Sequence, residues 1–302
     1  MVIGLASGIT VGAVATHPVE SIRVIEVEKQ MEPAARLFEA HNNYVLDDPR
    51  LELSFNDARN DLEFSSNSYD VIISEPSNPW MTVAANLFTE DFFSMAKTRL
   101  REGGVFSQWI QNYYLPREDL RSIIAAFRDS FEYVMLFETF DGIDLLLMGS
   151  QEPIVLDLER FETRMSELRV RMDLGRVGVR RPLDLVSLYR VGPEQIDRLI
   201  EGAERNTDDN ARVEFSAPKT FGVYTLPENL KLLRQYTSDP LEIISPQPTA
   251  EERDPLLLQL ARQLFFRREY DLAREQLARI TDPELSDRVA ELAARIDEAD
   301  VE

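Results

Sequence analysis

The sequence predicts an α/β protein: a Rossmann-like, seven-stranded sheet followed by a C-terminal helical extension. Three observations predict it. Within the first 150 residues, short β-rich runs alternate with helical patterns, as a parallel sheet with crossover helices requires. The last two of those runs are separated only by FDGI, residues 140–143, so the sheet closes with a hairpin instead of another crossover. After Ser150 the β-rich runs stop and amphipathic helical spacing takes over.

The strands are read at MVIGL (1–5), SIRVIEV (21–27), RLELSF (50–55), YDVIISE (69–75), GGVFSQWI (103–110), YVMLFET (133–139) and DLLLMGS (144–150). Helical stretches between them include 28–41, 86–100 and 117–131, and a further helix begins near Thr10. Five strand–helix alternations closed by a hairpin suggest the class I methyltransferase sheet, whose seventh strand runs antiparallel beside the sixth. A dehydrogenase sheet would continue with a crossover helix. Residues 154–205 read as helical, 206–222 as polar then extended, and the Pro-bearing stretch 238–255 as a linker. From about 255 to the end the spacing predicts a helical hairpin resembling one tetratricopeptide unit, which alone cannot stack into a solenoid. The organisation expected is therefore an α/β domain over 1–150, an extension over 151–245 and a hairpin over 246–302.

Composition narrows the chemistry. The chain has 302 residues and no cysteine, which removes disulfides, thiolate metal sites and a Cys nucleophile. With two histidines, His17 and His41, a His-rich metal centre is not expected, and no metal is implied. A net charge of −21 disfavours nucleic acid, which needs clustered Lys and Arg, and would attract a cationic substrate. The same charge also serves solubility. No apolar run reaches the ~18 residues of a membrane span, and no secretory leader precedes the first strand, so a cytoplasmic protein is expected.

The candidate site residues lie at strand ends. Gly4 and Gly8 bracket a tight turn between the first strand and a helix, where backbone can approach a ligand and helix N–H groups are free. Glu26 closes the second strand, where a carboxylate can accept from both hydroxyls of a ribose. Glu28 is either a second such acid or a solvated helix-start residue. Asp57 follows the third strand and reads equally as an adenine contact or a helix N-cap. Glu75 ends the fourth strand and precedes Pro76, Ser77, Asn78, Pro79 and Trp80. A Glu between a strand and a Pro has few structural uses, so Glu75 is the leading functional carboxylate. Trp80 either lines an apolar pocket or covers the core.

From Val2 to about Ser150 these motifs resemble the spermidine synthase (polyamine aminopropyltransferase) family. The matching pieces are GLASGIT…HPVESIRVIEVE, NDARNDL, YDVIISEPSNP, LFTEDFF and GGVFSQW. SEPSNPWM, QWIQNY and NTDD…VEFSAP are similar to bacterial spermidine synthase-like proteins fused to membrane segments. The resemblance implies S-adenosylmethionine, or its decarboxylated form, as co-substrate and a small cationic amine as acceptor. It implies that Gly4 through Gly8 cradle the thioether side of the nucleoside, Glu26 the ribose and Asp57 the adenine. Glu75 takes the place of the family's catalytic Asp, and Gln108 matches a family Gln near the site. It leaves room for a homodimer, and for an N-terminal lid or membrane segment that would precede this first strand. The chain would then be the soluble part of a membrane-associated protein.

Three positions depart from the family pattern. Ser7 stands where the synthases carry an Asp for the aminopropyl ammonium, Asn78 where they carry a second loop Asp for the acceptor, and Glu75 is one methylene longer than Asp. A methyltransferase using the intact donor, or a nucleoside-binding module without turnover, remain the alternatives. Asn206, Asp208 and Asp209 either fold over the cleft and restore acidity, or form a helix-capping turn.

Overall fold

In the computed structural model, residues 1–139, 142–220 and 222–300 are described. The chain divides into two units, Met1–Ile154 with Arg190–Ser238, and Val155–Tyr189 with Asp239–Glu302. The sequence-based boundary at 150 lies beside the first break, whereas the extension expected over 151–245 is shared between both units.

In the first unit the seven expected strands form: β1 (Val2–Ile3), β2 (Ile22–Glu26), β3 (Leu51–Phe55), β4 (Tyr69–Ser74), β5 (Leu100–Gln111), β6 (Tyr133–Glu138) and β7 (Asp144–Ser150). The order across the sheet is β3-β2-β1-β4-β5-β7-β6, and β1 to β5 pair in parallel. Strand β7 inserts antiparallel between β5 and β6, as the hairpin predicts. The first two residues of the expected FDGI turn lie outside the described residues. An eighth strand, Tyr189–Val191, follows β6 in the order, so the sheet is one strand wider than expected.

Apolar faces explain why these elements hold. On one side Ile72, Phe106 and Ile110 of the sheet pack against α4 (Glu90–Lys97) and α5 (Arg117–Ser130) through Phe92, Phe93, Ile123 and Phe127. The Phe93 and Phe127 rings meet edge-on at 5.0 Å, a favoured aromatic geometry. On the other side α1 (Ile9–Thr16) lays Val11 and Ala15 against Val2, Ile22 and Val24. Helix α2 (Met31–Arg36) is shorter than the 28–41 stretch expected, ending in turns, and α3 (Ala58–Phe64) follows β3.

Three further expectations are corrected. Residues 154–205 are not wholly helical: strands occur at Leu156–Asp157 and Tyr189–Val191. The stretch 206–222 is not extended but turns into helices at Arg212–Ser216 and Ala217–Thr220, with residue 221 outside the described set. The 238–255 stretch is no linker. It holds a 3₁₀ turn (Pro240–Ile243), a strand (Ile244–Ser245) paired with Leu156–Asp157, and the start of helix Ala250–Phe266. Thr249 and Glu252 close a capping box there, which nucleates the helix despite Pro255 six positions in. The second unit's core gathers Leu258, Leu264, Leu272, Leu277 and Ile296 from three helices, the third being Ser286–Ala299. Among the described residues no helix is long and apolar enough to cross a membrane.

Candidate functional site

The strand order reverses between β1 and β4, and at the carboxyl ends of such neighbours a crevice opens. Here it is a cleft of about 290 Å³. Gly4, Glu26, Asp57, Glu75 and Ser77 line it, joined by apolar walls from Val27, Met31, Met81 and Leu87.

The turn after β1 is built from backbone constraints. Gly4 has φ +93°, and a Cβ there would lie 2.8 Å from the Glu75 carbonyl oxygen, so only glycine lets the turn approach β4. Gly8, at φ +75°, is the N-cap of α1. Gly4→Ala is expected to lose at least about 1–2 kcal/mol from left-handed strain alone, plus the cost of the clash. Gly202→Ala (φ +73°, nothing near its missing Cβ) carries strain without a clash and is expected to lose less. Urea midpoints of the two variants check this, and equal losses would contradict the close approach.

Glu26 is buried and ties the turn to β2. One carboxylate oxygen accepts from the Leu5 N–H at 2.8 Å and the other from the Glu28 N–H at 2.9 Å. Each oxygen still has acceptor capacity toward the cleft. Asp57 caps α3, its Oδ1 accepting from the Asn60 N–H at 3.0 Å, while its side lines the cleft. The helix-cap reading of Asp57 is thus seen directly, at a position that borders the cleft. Asn42 is fully buried and donates to the Ser7 carbonyl at 3.0 Å and the Ala35 carbonyl at 2.9 Å, locking the turn from beneath. No spacing in the sequence marks Asn42, because its partners are backbone atoms.

Glu75 lies one residue past β4, on the face that carries α1. The Thr10 hydroxyl donates to its Oε2 at 2.6 Å. Burial pushes its carboxyl above the ordinary Glu value, the Thr10 bond opposes that, and the charge of Asp144 adds to it. A half-buried carboxylate with one short hydroxyl contact is equipped to accept a proton.

Other expected residues stand outside the cleft lining. Ser7 and Gly8 belong to the turn's backbone. The Asn78 carbonyl accepts from the Met81 N–H, shaping the loop. Trp80 packs against the hydrophobic core instead of lining the cleft. Gln108 does not end its strand, which continues to Gln111; it is buried on the opposite face and donates to the Trp109 carbonyl at 3.0 Å. Asn206 and Asp208 do not cover the cleft: Asp208 pairs with Arg59 and accepts from Thr89 at 2.7 Å, and Asn206 donates to the Phe88 carbonyl at 2.9 Å. Asp209 is exposed beside them.

Fold and cleft together define a class I methyltransferase-like domain. Residues 1–140 match the family model described as "Spermine/spermidine synthase domain". A polyamine aminopropyltransferase of Korarchaeum cryptofilum is 28% identical over 179 residues, 55% of this chain and 54% of the relative. One of Sodalis glossinidius is 29% identical over 166 residues, 53% of this chain and 58% of the relative. The chain thus spans little more than half the length of these relatives. A crystal structure of spermidine synthase in complex with the transition state analogue AdoDATO superposes with TM-score 0.51 at 22% identity. The match covers 66% of this chain and 68% of that one, a likeness of fold.

Proposed function

We propose that this chain transfers an aminopropyl group from decarboxylated S-adenosylmethionine to a small cationic amine. The observation that carries the reading is Glu75: a carboxylate with a raised pKa, in one cleft with the glycine turn, Glu26 and Asp57. The names of the curated relatives support it. In this reading Gly4 admits the thioether side of the nucleoside, Glu26 accepts from the ribose hydroxyls and Asp57 faces the adenine. Met31, Met81 and Leu87 supply apolar walls, and Ser77 borders the acceptor side. Ser7, Gly8 and Asn78 act through the shape of their loops, and Trp80 and Gln108 support the site from the core.

An alkyl amine has a pKa near ~10.4, so it arrives protonated and non-nucleophilic at neutral pH. Glu75 takes its proton. The freed nitrogen attacks the carbon beside the sulfonium, an N–C bond forms, and the C–S bond breaks with its electron pair going to sulfur. Methylthioadenosine leaves, and Glu75 returns the proton to solvent. Alignment of nitrogen, carbon and sulfur supplies much of the acceleration.

The base must be ionised, so activity falls as pH drops through the Glu75 pKa. That acid limb is expected above the ordinary Glu value of about 4.3. Thr10→Val removes the bond that holds the pKa down, so the limb of kcat/KM moves to higher pH. A limb that stays put would contradict the role of Thr10.

Calorimetric titration with intact S-adenosylmethionine, its decarboxylated form and methylthioadenosine tests the donor. A preference for the decarboxylated form of tenfold or more, about 1.4 kcal/mol, supports the reading. Ser7 places no acid where a donor carboxylate would be repelled. Preference for the intact donor would therefore point to methyl transfer and overturn aminopropyl transfer.

A further inference from the structure

The second unit carries a surface that breaks the charge pattern of the chain. Residues 168–181 hold five Arg and one acid, Asp173, in a chain of net charge −21. The first nine of them form the helix Leu168–Arg176. Val170 turns inward at 1% exposure, whereas Leu168 and Met172 stand 60% and 64% exposed. Val177, the next residue after the helix, is 60% exposed. A helix advances about 100° per residue, so Leu168, Met172 and Gly175 share one stripe opposite Val170. Arg171 borders that stripe on one side, and Arg169 and Arg176 on the other.

Among the described residues nothing covers this stripe. A side chain at Gly175 or Gly178 would meet no neighbour within 4 Å. Arg176 pairs with Asp173 at 3.3 Å, but the side chains of Arg169, Arg171 and Arg180 form no ion pair or hydrogen bond among the described residues. Single exposed apolar side chains need no explanation, whereas a stripe of them edged by unpaired arginines calls for one. An anionic lipid surface is complementary to it. The apolar side chains enter the headgroup boundary, and the Arg stems lie along it while their guanidiniums reach lipid phosphates. Acids elsewhere on the chain are screened beyond about 8 Å at physiological salt, so the patch governs contact despite the overall charge.

We infer that the helix Leu168–Arg176 docks the second unit onto an anionic phospholipid surface, with Leu168 and Met172 in the headgroup boundary and Arg169 and Arg171 on lipid phosphates. The inference stands apart from the aminopropyl-transfer reading, since none of these residues lines the nucleoside cleft. One short amphipathic helix gives peripheral, reversible binding that salt weakens.

Co-sedimentation of the full chain with vesicles tests this. Vesicles of equal parts phosphatidylglycerol and phosphatidylcholine are compared with phosphatidylcholine alone, at low salt and in rising sodium chloride. Wild type is expected to bind the anionic vesicles, to release as salt rises, and to leave phosphatidylcholine unbound. Arg169→Gln combined with Arg171→Gln is expected to weaken binding at least tenfold, at about fivefold per arginine. Leu168→Gln combined with Met172→Gln should weaken it with the protein's charge unchanged. Arg288→Gln, which removes an exposed arginine from the helix Ser286–Ala299, should bind as wild type does. All these positions are exposed, so urea midpoints should match wild type. No binding to anionic vesicles, equal binding to both kinds, or an equal loss in Arg288→Gln would overturn the lipid surface. Self-association without vesicle binding, lost in Leu168→Gln with Met172→Gln, would also overturn it and assign the face to a second copy of the chain.

Discussion

Glu75→Gln is expected to lower kcat roughly 10²- to 10⁴-fold, the range a positioned general base contributes. Gln fills the same volume and can still accept from the Thr10 hydroxyl, so the loop after β4 keeps its shape. It cannot take the proton of an alkylammonium. Methylthioadenosine affinity should therefore match wild type, and the loss should appear in single-turnover rates at saturating donor and acceptor. A loss below tenfold would mean that solvent or another group removes the proton. A parallel loss of nucleoside binding would mean that Glu75 shapes the cleft instead of serving the reaction.

Glu138→Ala is expected to destabilise the first unit by about 3–5 kcal/mol, through a charge network remote from the cleft lining. Glu138 and Arg190 each show only 2% side-chain exposure. The carboxylate accepts from Arg190 Nε at 2.7 Å and from two nitrogens of Arg234 at 2.6 and 3.0 Å. Removing the acid takes away the buried carboxylate that both guanidiniums share. At about 2–4 °C per kcal/mol for a unit of this size, the melting midpoint should fall by roughly 10 °C. Asp70→Ala, which breaks an exposed pair with Arg101, should change stability by less than about 1 kcal/mol. Similar effects from both variants would contradict the burial argument.

The same network fixes a pH dependence. Burial would raise the Glu138 carboxyl, but Arg190 and Arg234 outweigh it and leave the pKa below its ordinary value. A depressed acid stabilises the fold fully above its unfolded pKa, about 4.3. That contribution is lost as pH falls through the lower folded value. Acid melts of wild type should show this loss, and Glu138→Gln should lack it.

The seven strands were legible because each is a short β-rich run bounded by turn residues, and β7 because only five residues separate it from β6. The eighth strand was hidden. Tyr189–Val191 is three residues long in a stretch with helical spacing, and Arg190 reaches Glu138 from 52 residues away in sequence. The 238–255 stretch read as a linker because its prolines mask a capping box. At the site, strand ends located Gly4, Glu26, Asp57, Glu75 and Ser77 in one cleft. Spacing alone did not give side-chain direction, so Gln108 was expected near the site although it lies on the opposite face of β5, and Trp80 was left between pocket and core. Asn42 went unread, since only bonds to backbone atoms join it to the glycine turn.

The most direct test of the central claim is a product assay. Purified chain is incubated with decarboxylated S-adenosylmethionine and 1,4-diaminobutane, and both products are quantified by mass spectrometry. The account predicts methylthioadenosine and the aminopropylated amine in equal amounts, with both lost in Glu75→Gln. Turnover undiminished in Glu75→Gln would contradict it, as would a methylated amine with S-adenosylhomocysteine formed from the intact donor alone.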